Sequence, residues 1–221
     1  FFSYGTISAV TFNFNHFDGT NLIFIGYAEL GPATDGMSRS GALSPVTTFH
    51  SHMVKAFTHI PFHSNPPTTL LLLLFILTKH LSLSPSLLTG QALTPNLGLV
   101  NRTTNGSPNN HLFAVEFDVF QDKRFGDIND NHVGIDINSV HSMVSKRAGY
   151  WAWIEYKNNK VTITLAPAHL KKPKRPLIET QVDLSKVFLE TMYTGFPGSM
   201  GRGIERHDIW SWSFENTAKN S

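Results

Sequence analysis

The feature that most constrains the fold of this 221-residue chain is the alternation of apolar and polar residues with a period of two. In residues 112–120 every second residue from Phe113 to Val119 is apolar, and Glu116 and Asp118 fall between them. Successive side chains of a β-strand point to opposite faces. The pattern therefore predicts a strand with one apolar face and one acidic face.

Similar segments recur along the chain and are separated by Asn, Gly, Pro and Asp. They are residues 12–14, 22–25, 132–138, 151–156, 161–166, 177–182, 191–196 and 209–214. The apolar run at 70–77 is too short to span a membrane, which needs about 20 residues, and it predicts a buried strand. Only 184–190 favours a helix, with Asp183 as its cap. Residues 31–65 alternate little. The chain is expected to be an all-β antiparallel sandwich or jelly roll forming one domain over 1–221.

Composition excludes several classes of function. The formal net charge of +2 is too small to indicate nucleic-acid binding, and there is no membrane span. The absence of cysteine excludes disulfides and thiolate metal ligands. Asn101 begins a glycosylation tripeptide, whereas the one at Asn105 is poorer because Pro108 follows it. The basic segment 169–175 is expected to be a solvated connector.

Acidic residues and one histidine are expected to meet at the edge of two strands. If the strands at 112–120 and 132–138 pair with their apolar faces together, then Glu116, Asp118 and His132 converge. The intervening loop brings Asp122 and Asp127 to the same place. These groups would repel one another without a cation, and two divalent ions would balance four carboxylates. Oxygen ligands suit Ca²⁺, and carboxylates with an imidazole suit a transition ion such as Mn²⁺. A surface acidic loop without metal is the alternative.

Two other interpretations of these residues are weaker. An EF-hand loop beginning at Asp127 would need Gly where His132 stands and Glu where Asn138 stands. A sandwich glycanase would need a third acidic residue at position 120, which is Phe120. The chain is therefore not expected to be an enzyme.

At these residues the chain resembles the legume, or L-type, lectin family. The resemblance is in the family's order and covers more than half of the chain. It closely resembles the extracellular lectin domains of plant receptor-like kinases. The matching blocks are FNFNHFDGTNL (12–22), NHLFAVEFDVFQDKRFGDINDNHVGIDINSV (110–140), WIEYKNNKVTITLAP (153–167), PLIETQVDLSKVFLETMYTGF (176–196) and WSWSF (210–214).

The resemblance implies a concanavalin A-like sandwich whose metals are structural. It implies that Mn²⁺ is held by Glu116, Asp118, Asp127 and His132. It implies that Ca²⁺ is held by Asp118, Asp127, the backbone oxygen of Phe120 and the side chain of Asp122. The Phe120 ring would stack on the sugar, beside Asp122. A variable specificity loop, or else a plain hairpin turn, would lie at Gly198, Ser199, Met200 and Gly201.

The chain departs from the family in three places. The family has Asn at position 122, and Asp122 keeps the ligand oxygen but loses the amide donor. Leu77 falls where the family has a glycine-flanked Asp or His, and residues 49–80 resemble a replaced or frame-shifted segment within an atypical 31–80 region. The junction at 149–152 is short, which implies the loss of a loop and an edge strand.

The sequence thus predicts a secreted or extracellular domain that binds mannose/glucose-type or galactose-type glycans with Ca²⁺ and Mn²⁺. Its partners would be glycans or glycoproteins, and a homodimer is compatible with the fold. The alternative is a degenerate lectin domain that keeps the metal site but has lost sugar binding. It would act as a receptor ectodomain remnant at the outer face of the plasma membrane or as a protein-interaction module.

Overall fold

The structure is a computed structural model. It describes residues 10–14, 23–24, 29–30, 38–39, 42–46, 54–59, 71–78, 100, 102–118, 121–147, 151–166, 170–189, 192–196, 198–200, 208–209 and 211–216. No helix in these ranges is long and apolar enough to cross a membrane.

Most of the described residues lie in short strands, as the alternating segments predict. The strands are β1 (Val10–Phe14), β2 (Ile23–Phe24), β3 (Glu29–Leu30), β4 (Ser38–Arg39), β5 (Ala42–Val46), β6 (Val54–His59), β7 (Leu71–Thr78), β8 (Leu112–Asp118), β9 (His132–Ile137), β10 (Ser142–Arg147), β11 (Trp151–Lys157), β12 (Lys160–Ala166), β13 (Ile178–Gln181), β14 (Met192–Gly195), β15 (Gly198–Met200), β16 (Asp208–Ile209) and β17 (Ser211–Asn216). A 3₁₀ turn, Pro108–Asn110, precedes β8.

The strands form two large antiparallel sheets. The six-stranded sheet has the order β1-β17-β6-β11-β12-β13. The eight-stranded sheet has the order β10-β9-β8-β7-β14-β5-β2, and β15 also pairs with β7. A small third sheet joins β16, β4 and β3.

The core contains residues from both large sheets. Phe113, Val115 and Phe117 of β8 alternate toward it, as do Ile154 and Tyr156 of β11. These side chains are buried in one cluster with residues of β9 and β12. Burial of this kind stabilises each large apolar side chain by roughly 1.5–3 kcal/mol. The predicted antiparallel β-sandwich is confirmed.

Some local predictions need correction. The helix expected at 184–190 is a single turn, in which the Val187 and Phe188 N–H groups both donate to the Leu184 carbonyl, at 3.0 and 2.9 Å. Leu184 and Val187 are buried in the core cluster, so packing holds this turn within a connection from one sheet to the other.

Other boundaries also differ from the expected ones. The segment 209–214 is divided between β16 and β17. Strands β4, β5 and β6 lie in the region where alternation is weak, and β10 has no apolar alternation to mark it. β7, from the apolar run, is an inner strand between β8 and β14.

Candidate metal centre

The pairing of β8 with β9 places the predicted metal ligands on one face of the eight-stranded sheet. Asp118 pairs with His132, and Glu116 pairs with Gly134. Directly paired residues of antiparallel strands point to the same face. Since Phe117 and Val133 face the core, Glu116, Asp118 and His132 lie on the opposite face. All three are buried.

Glu116, Asp127 and His132 form a cluster with the geometry of a metal site. His132 Nε2 lies 3.3 Å from Glu116 Oε1 and 3.8 Å from Asp127 Oδ1. One ligand atom from each residue lies within 4.8 Å of the others. The loop between β8 and β9 thus returns Asp127 to the strand edge, as the sequence predicts. The flanking elements are strands, so the loop is not an EF-hand.

The orientation of His132 leaves one ring nitrogen facing the carboxylates. Its Nδ1 lies 2.9 Å from the Asn129 carbonyl oxygen, which can only accept, so Nδ1 carries a proton. Nε2 is buried and makes no hydrogen bond, although Glu116 Oε1 lies nearby. In the neutral ring the Nε2 lone pair would face a negatively charged oxygen. A proton or a metal ion at Nε2 removes this repulsion, and a backbone carbonyl that fixes the tautomer is typical of metal-binding histidines.

Burial and the closeness of several carboxylates shift the pKa of two groups in the cluster. Burial alone would lower the pKa of His132, but the nearby Glu116 carboxylate and the negative charges of Asp118 and Asp127 outweigh it and raise the pKa. Burial raises the pKa of the Asp127 carboxyl, and repulsion from Glu116 and Asp122 adds to that effect. Both groups therefore hold protons more tightly than usual. A divalent cation can supply the same charge.

The site extends to Asp136 and Ser142, which are not among the residues predicted from the sequence. Ser142 Oγ contacts Glu116 Oε1 and lies 2.9 Å from Asp136 Oδ1. Burial raises the pKa of Asp136 well above its usual value, and Glu116 raises it further. The Ser142 hydroxyl has one proton and can donate it to only one of the two carboxyl groups. If Asp136 is protonated, it can donate to Ser142 Oγ, and both contacts are then hydrogen bonds. Because side chains alternate along β9, Asp136 lies on the same face as His132. The sequence pattern alone could therefore have predicted that Asp136 lies near the site.

Gly134 gives these side chains the space they occupy. A Cβ at this position would lie 1.9 Å from Ser142 Oγ and 2.6 Å from Glu116 Oε1. The glycine therefore leaves a cradle that the Glu116 carboxylate and the Ser142 hydroxyl fill. The residues present fit a metal site because the buried His132 Nε2 atom makes no hydrogen bond and faces two carboxylates.

Asp122 lies beside the cluster but has another partner. Its N–H donates to Asp127 Oδ2 at 2.5 Å, which fixes the orientation of the Asp127 carboxylate. Its own carboxylate, buried by the loop, forms an ion pair with Arg124. Arg124 is not among the site residues predicted from the sequence.

The expected sugar-site residues are only partly described. Phe120 and Gly201 lie outside the described residues, as does the glycosylation residue Asn101. Gly198–Met200 is strand β15 rather than a turn. Ser199 pairs with Leu72, which pairs with Asp118. Two strand spacings place the backbones of Ser199 and Asp118 roughly 10 Å apart.

Two of the positions at which the sequence departs from the family pattern, Leu77 and the junction at 149–152, lie wholly or partly among the residues that the structure describes. Leu77 is in β7, paired with Phe113 and Thr194. The Thr194 hydroxyl is buried and makes no hydrogen bond. Within the junction at 149–152, β11 begins at Trp151, and residues 148–150 lie outside the described ranges.

Comparison with known proteins identifies relatives over nearly the whole chain. The model of the legume lectin domain matches residues 46–221. A lectin-like protein of Arabidopsis thaliana is 59% identical over 269 positions, which cover 98% of this chain and 93% of that protein. Because 269 positions exceed the 221 residues of this chain, the relative carries residues that this chain lacks.

Two further matches concern the domain's context and its fold. The L-type lectin-domain containing receptor kinase VII.1 of Arabidopsis thaliana is 31% identical over 248 positions, covering 96% of this chain but 35% of the kinase. The structure of lectin UEA-II complexed with galactose has a TM-score of 0.69 and 22% identity, covering 94% of this chain and 99% of that one. This last similarity shows the fold.

Proposed function

Because the chain belongs to the legume lectin family, we propose that it binds glycans at a site supported by Mn²⁺ and Ca²⁺. The family consists of non-catalytic carbohydrate-binding proteins, so carbohydrate binding in general follows from membership. The ions and the sugar class belong to the proposal. So does the extent of the domain, which we take to be residues 1–221.

The unpartnered Nε2 atom of His132 is the observation that carries the metal part of the proposal. A buried polar atom without a hydrogen bond is destabilising by about 1–3 kcal/mol. Here that nitrogen lies between two carboxylates, Glu116 and Asp127, in the geometry of a ligand set. Metal coordination would satisfy the nitrogen and neutralise the carboxylates together.

Each ion would take the ligands that suit it. Mn²⁺ accepts an imidazole with carboxylates, and Ca²⁺ prefers oxygen atoms alone. The ions would hold the loop between β8 and β9 in the shape that contacts sugar. The proposed Mn²⁺ ligands are Glu116, Asp118, Asp127 and His132, and the proposed Ca²⁺ ligands are Asp118, Asp127, the Phe120 backbone oxygen and Asp122.

The sugar would lie between this loop and β15. The register of Ser199 with Asp118 supports this placement, since it brings the two elements within roughly 10 Å. The ring of Phe120 would stack on an apolar face of the sugar. The ligand would be of the mannose/glucose or galactose type, and affinity for one monosaccharide would be about millimolar. The proposed sugar-binding residues are Phe120, Asp122, Gly198, Ser199, Met200 and Gly201.

We place the protein outside the cell. Its similarity to the lectin part of a receptor kinase supports a secreted or surface-displayed domain. Asn101 would carry a glycan there, and glycoproteins would be its partners. The exposed sheet surfaces of a sandwich also suit a homodimer, which sedimentation velocity would detect.

Glycan-array binding with and without a chelator tests the function. We expect binding to mannose/glucose-type or galactose-type glycans that disappears in EDTA and returns with Mn²⁺ and Ca²⁺. His132→Ala should abolish the chelator-sensitive binding. His141→Ala is a matched control, because His141 is exposed and its ring contacts the Phe125 carbonyl rather than the cluster.

Each outcome has a distinct meaning. Binding that survives EDTA would contradict the metal dependence. Metal uptake without any glycan binding would instead support a degenerate lectin domain.

A further inference from the structure

Among the described residues, the hydrogen bonds to the Asp122 carboxylate all come from Arg124, one from its backbone N–H and the others from its guanidinium. Asp122 Oδ1 accepts from the Arg124 N–H at 3.0 Å and from Arg124 Nε at 2.9 Å. Asp122 Oδ2 accepts from Nε at 3.0 Å and from the terminal guanidinium nitrogen Nη2. A carboxylate offers about four lone-pair sites. Three N–H groups of Arg124 contact the two oxygens, and the Nε–H is shared between both, so a second cation or a sugar hydroxyl would compete with Arg124 for either oxygen.

The two partners are exposed to very different degrees. The Asp122 side chain is 6% exposed, whereas the Arg124 side chain is 74% exposed. The carboxylate is therefore shielded from water, and it would be an unpaired buried charge if Arg124 moved without a replacement. The guanidinium can turn into solvent at little cost. Its hydrogen bonds to Asp122 also lower the pKa of that carboxyl, so the group is an anion at neutral pH.

The Asp122–Arg124 pair is connected directly to the metal cluster. The Asp122 N–H donates to Asp127 Oδ2 at 2.5 Å, and the other oxygen of Asp127 faces His132. In the same conformation the Arg124 guanidinium carbon lies 5.8 Å from the centre of the Phe125 ring. Displacement of Arg124 would thus free the carboxylate of Asp122, a residue whose backbone is hydrogen-bonded to Asp127 of the cluster.

We propose that Arg124 is an internal counter-ion that competes with Ca²⁺ for Asp122. The inference rests on the proposed metal function, because it concerns how one of the proposed Ca²⁺ ligands becomes available. Without Ca²⁺ the guanidinium neutralises Asp122 and holds the loop. With Ca²⁺ the carboxylate changes partner and Arg124 turns to solvent. Arg124 is a positioning residue that sets the Ca²⁺ affinity of the loop.

Calcium titration of three chains by isothermal calorimetry tests the competition. The variants are Arg124→Gln and Lys123→Gln, and each removes one positive charge from the same loop. Lys123 is exposed, and its side chain makes no hydrogen bond or ion pair among the described residues. We expect Arg124→Gln to bind Ca²⁺ about tenfold more tightly than wild type, which corresponds to about 1.4 kcal/mol. Lys123→Gln should change the affinity less than twofold.

Thermal unfolding supplies a readout that does not depend on sugar binding. In EDTA, Arg124→Gln should melt several degrees below Lys123→Gln, because the metal-free form loses the partner of a buried carboxylate. In saturating Ca²⁺ the two variants should melt together, because the pair is then already broken.

The possible outcomes separate this inference from the proposed function. Equal Ca²⁺ affinities of the two variants, or weaker binding by Arg124→Gln, would overturn the competition while leaving the metal site intact. An Arg124→Gln deficit that persists in saturating Ca²⁺ would do the same. Absence of Ca²⁺ binding by all three chains would overturn both the competition and the metal-dependent function.

Discussion

Gly134→Ala should destabilise the protein far more than an added methyl group usually does. The new Cβ would lie 1.9 Å from Ser142 Oγ, 2.6 Å from Glu116 Oε1 and 2.9 Å from Ser142 Cβ. Rotating the Ser142 hydroxyl relieves only the first of these contacts. It also breaks the contacts with Glu116 and Asp136, both of which are buried.

Two terms set the expected size of the effect. Overpacking a buried site costs about 1–3 kcal/mol. A lost hydrogen bond to a charged group costs about 1.5–3 kcal/mol. Because relaxation will reduce their sum, we expect Gly134→Ala to lower the free energy of unfolding by about 3 kcal/mol. For a chain of this size that lowers the melting temperature by about 6–12 °C.

Equilibrium urea unfolding in EDTA measures this effect without a contribution from metal binding. Ser142→Gly is the companion variant, because it removes both Ser142 atoms that the new Cβ would meet. The double variant should be at least about 1 kcal/mol more stable than the sum of the two single changes predicts. A Gly134→Ala variant within 0.5 kcal/mol of wild type, or strict additivity, would refute the steric explanation.

Three further predictions concern other parts of the structure. His132→Ala should weaken Mn²⁺ binding by more than about 100-fold, as measured by electron paramagnetic resonance, because even outer-shell changes weaken such sites 10–100-fold; unchanged affinity would exclude His132 as a ligand. Thr194→Val should raise the free energy of unfolding by about 1 kcal/mol, since the buried hydroxyl makes no hydrogen bond; a loss of stability would show that the hydroxyl has a partner. Burial raises the pKa of Tyr156 in the folded state. The stability that its protonated side chain contributes is therefore fully present below about pH 10, and it is lost as the pH rises through the pKa of the folded state. Tyr156→Phe leaves the Leu184 N–H without its 3.2 Å partner, and should be less stable at pH 7 by about 1 kcal/mol yet lose less stability above pH 10; parallel pH profiles would contradict this.

The sequence was sufficient for the fold and for placing together, on alternating strands, side chains that we propose as metal ligands. Glu116 and His132 could be placed on one face because period two is unambiguous in β8 and β9. The strand β10 could not be predicted, because its sequence SMVSKR has no alternation of apolar and polar residues. Ser142 lies in that strand, so its contact with Glu116 was missed with it.

Residues whose roles depend on loop conformation could not be predicted. Arg124 is two residues from Asp122, and only the turn of the loop folds its guanidinium back onto that carboxylate. Nothing in the order QDKRFGD distinguishes Arg124 from Lys123, which has no such contact. The single turn after Asp183 was overestimated for a similar reason, since the pattern of Leu184 and Val187 reflects core packing and not a helix.

The metal content of the purified chain tests the central claim most directly. After incubation with Mn²⁺ and Ca²⁺ and extensive dialysis, inductively coupled plasma mass spectrometry should find about one manganese and one calcium per chain, and His132→Ala should lose the manganese. Well-folded wild-type protein that retains neither ion would contradict the existence of the metal centre and the glycan-binding mechanism built on it.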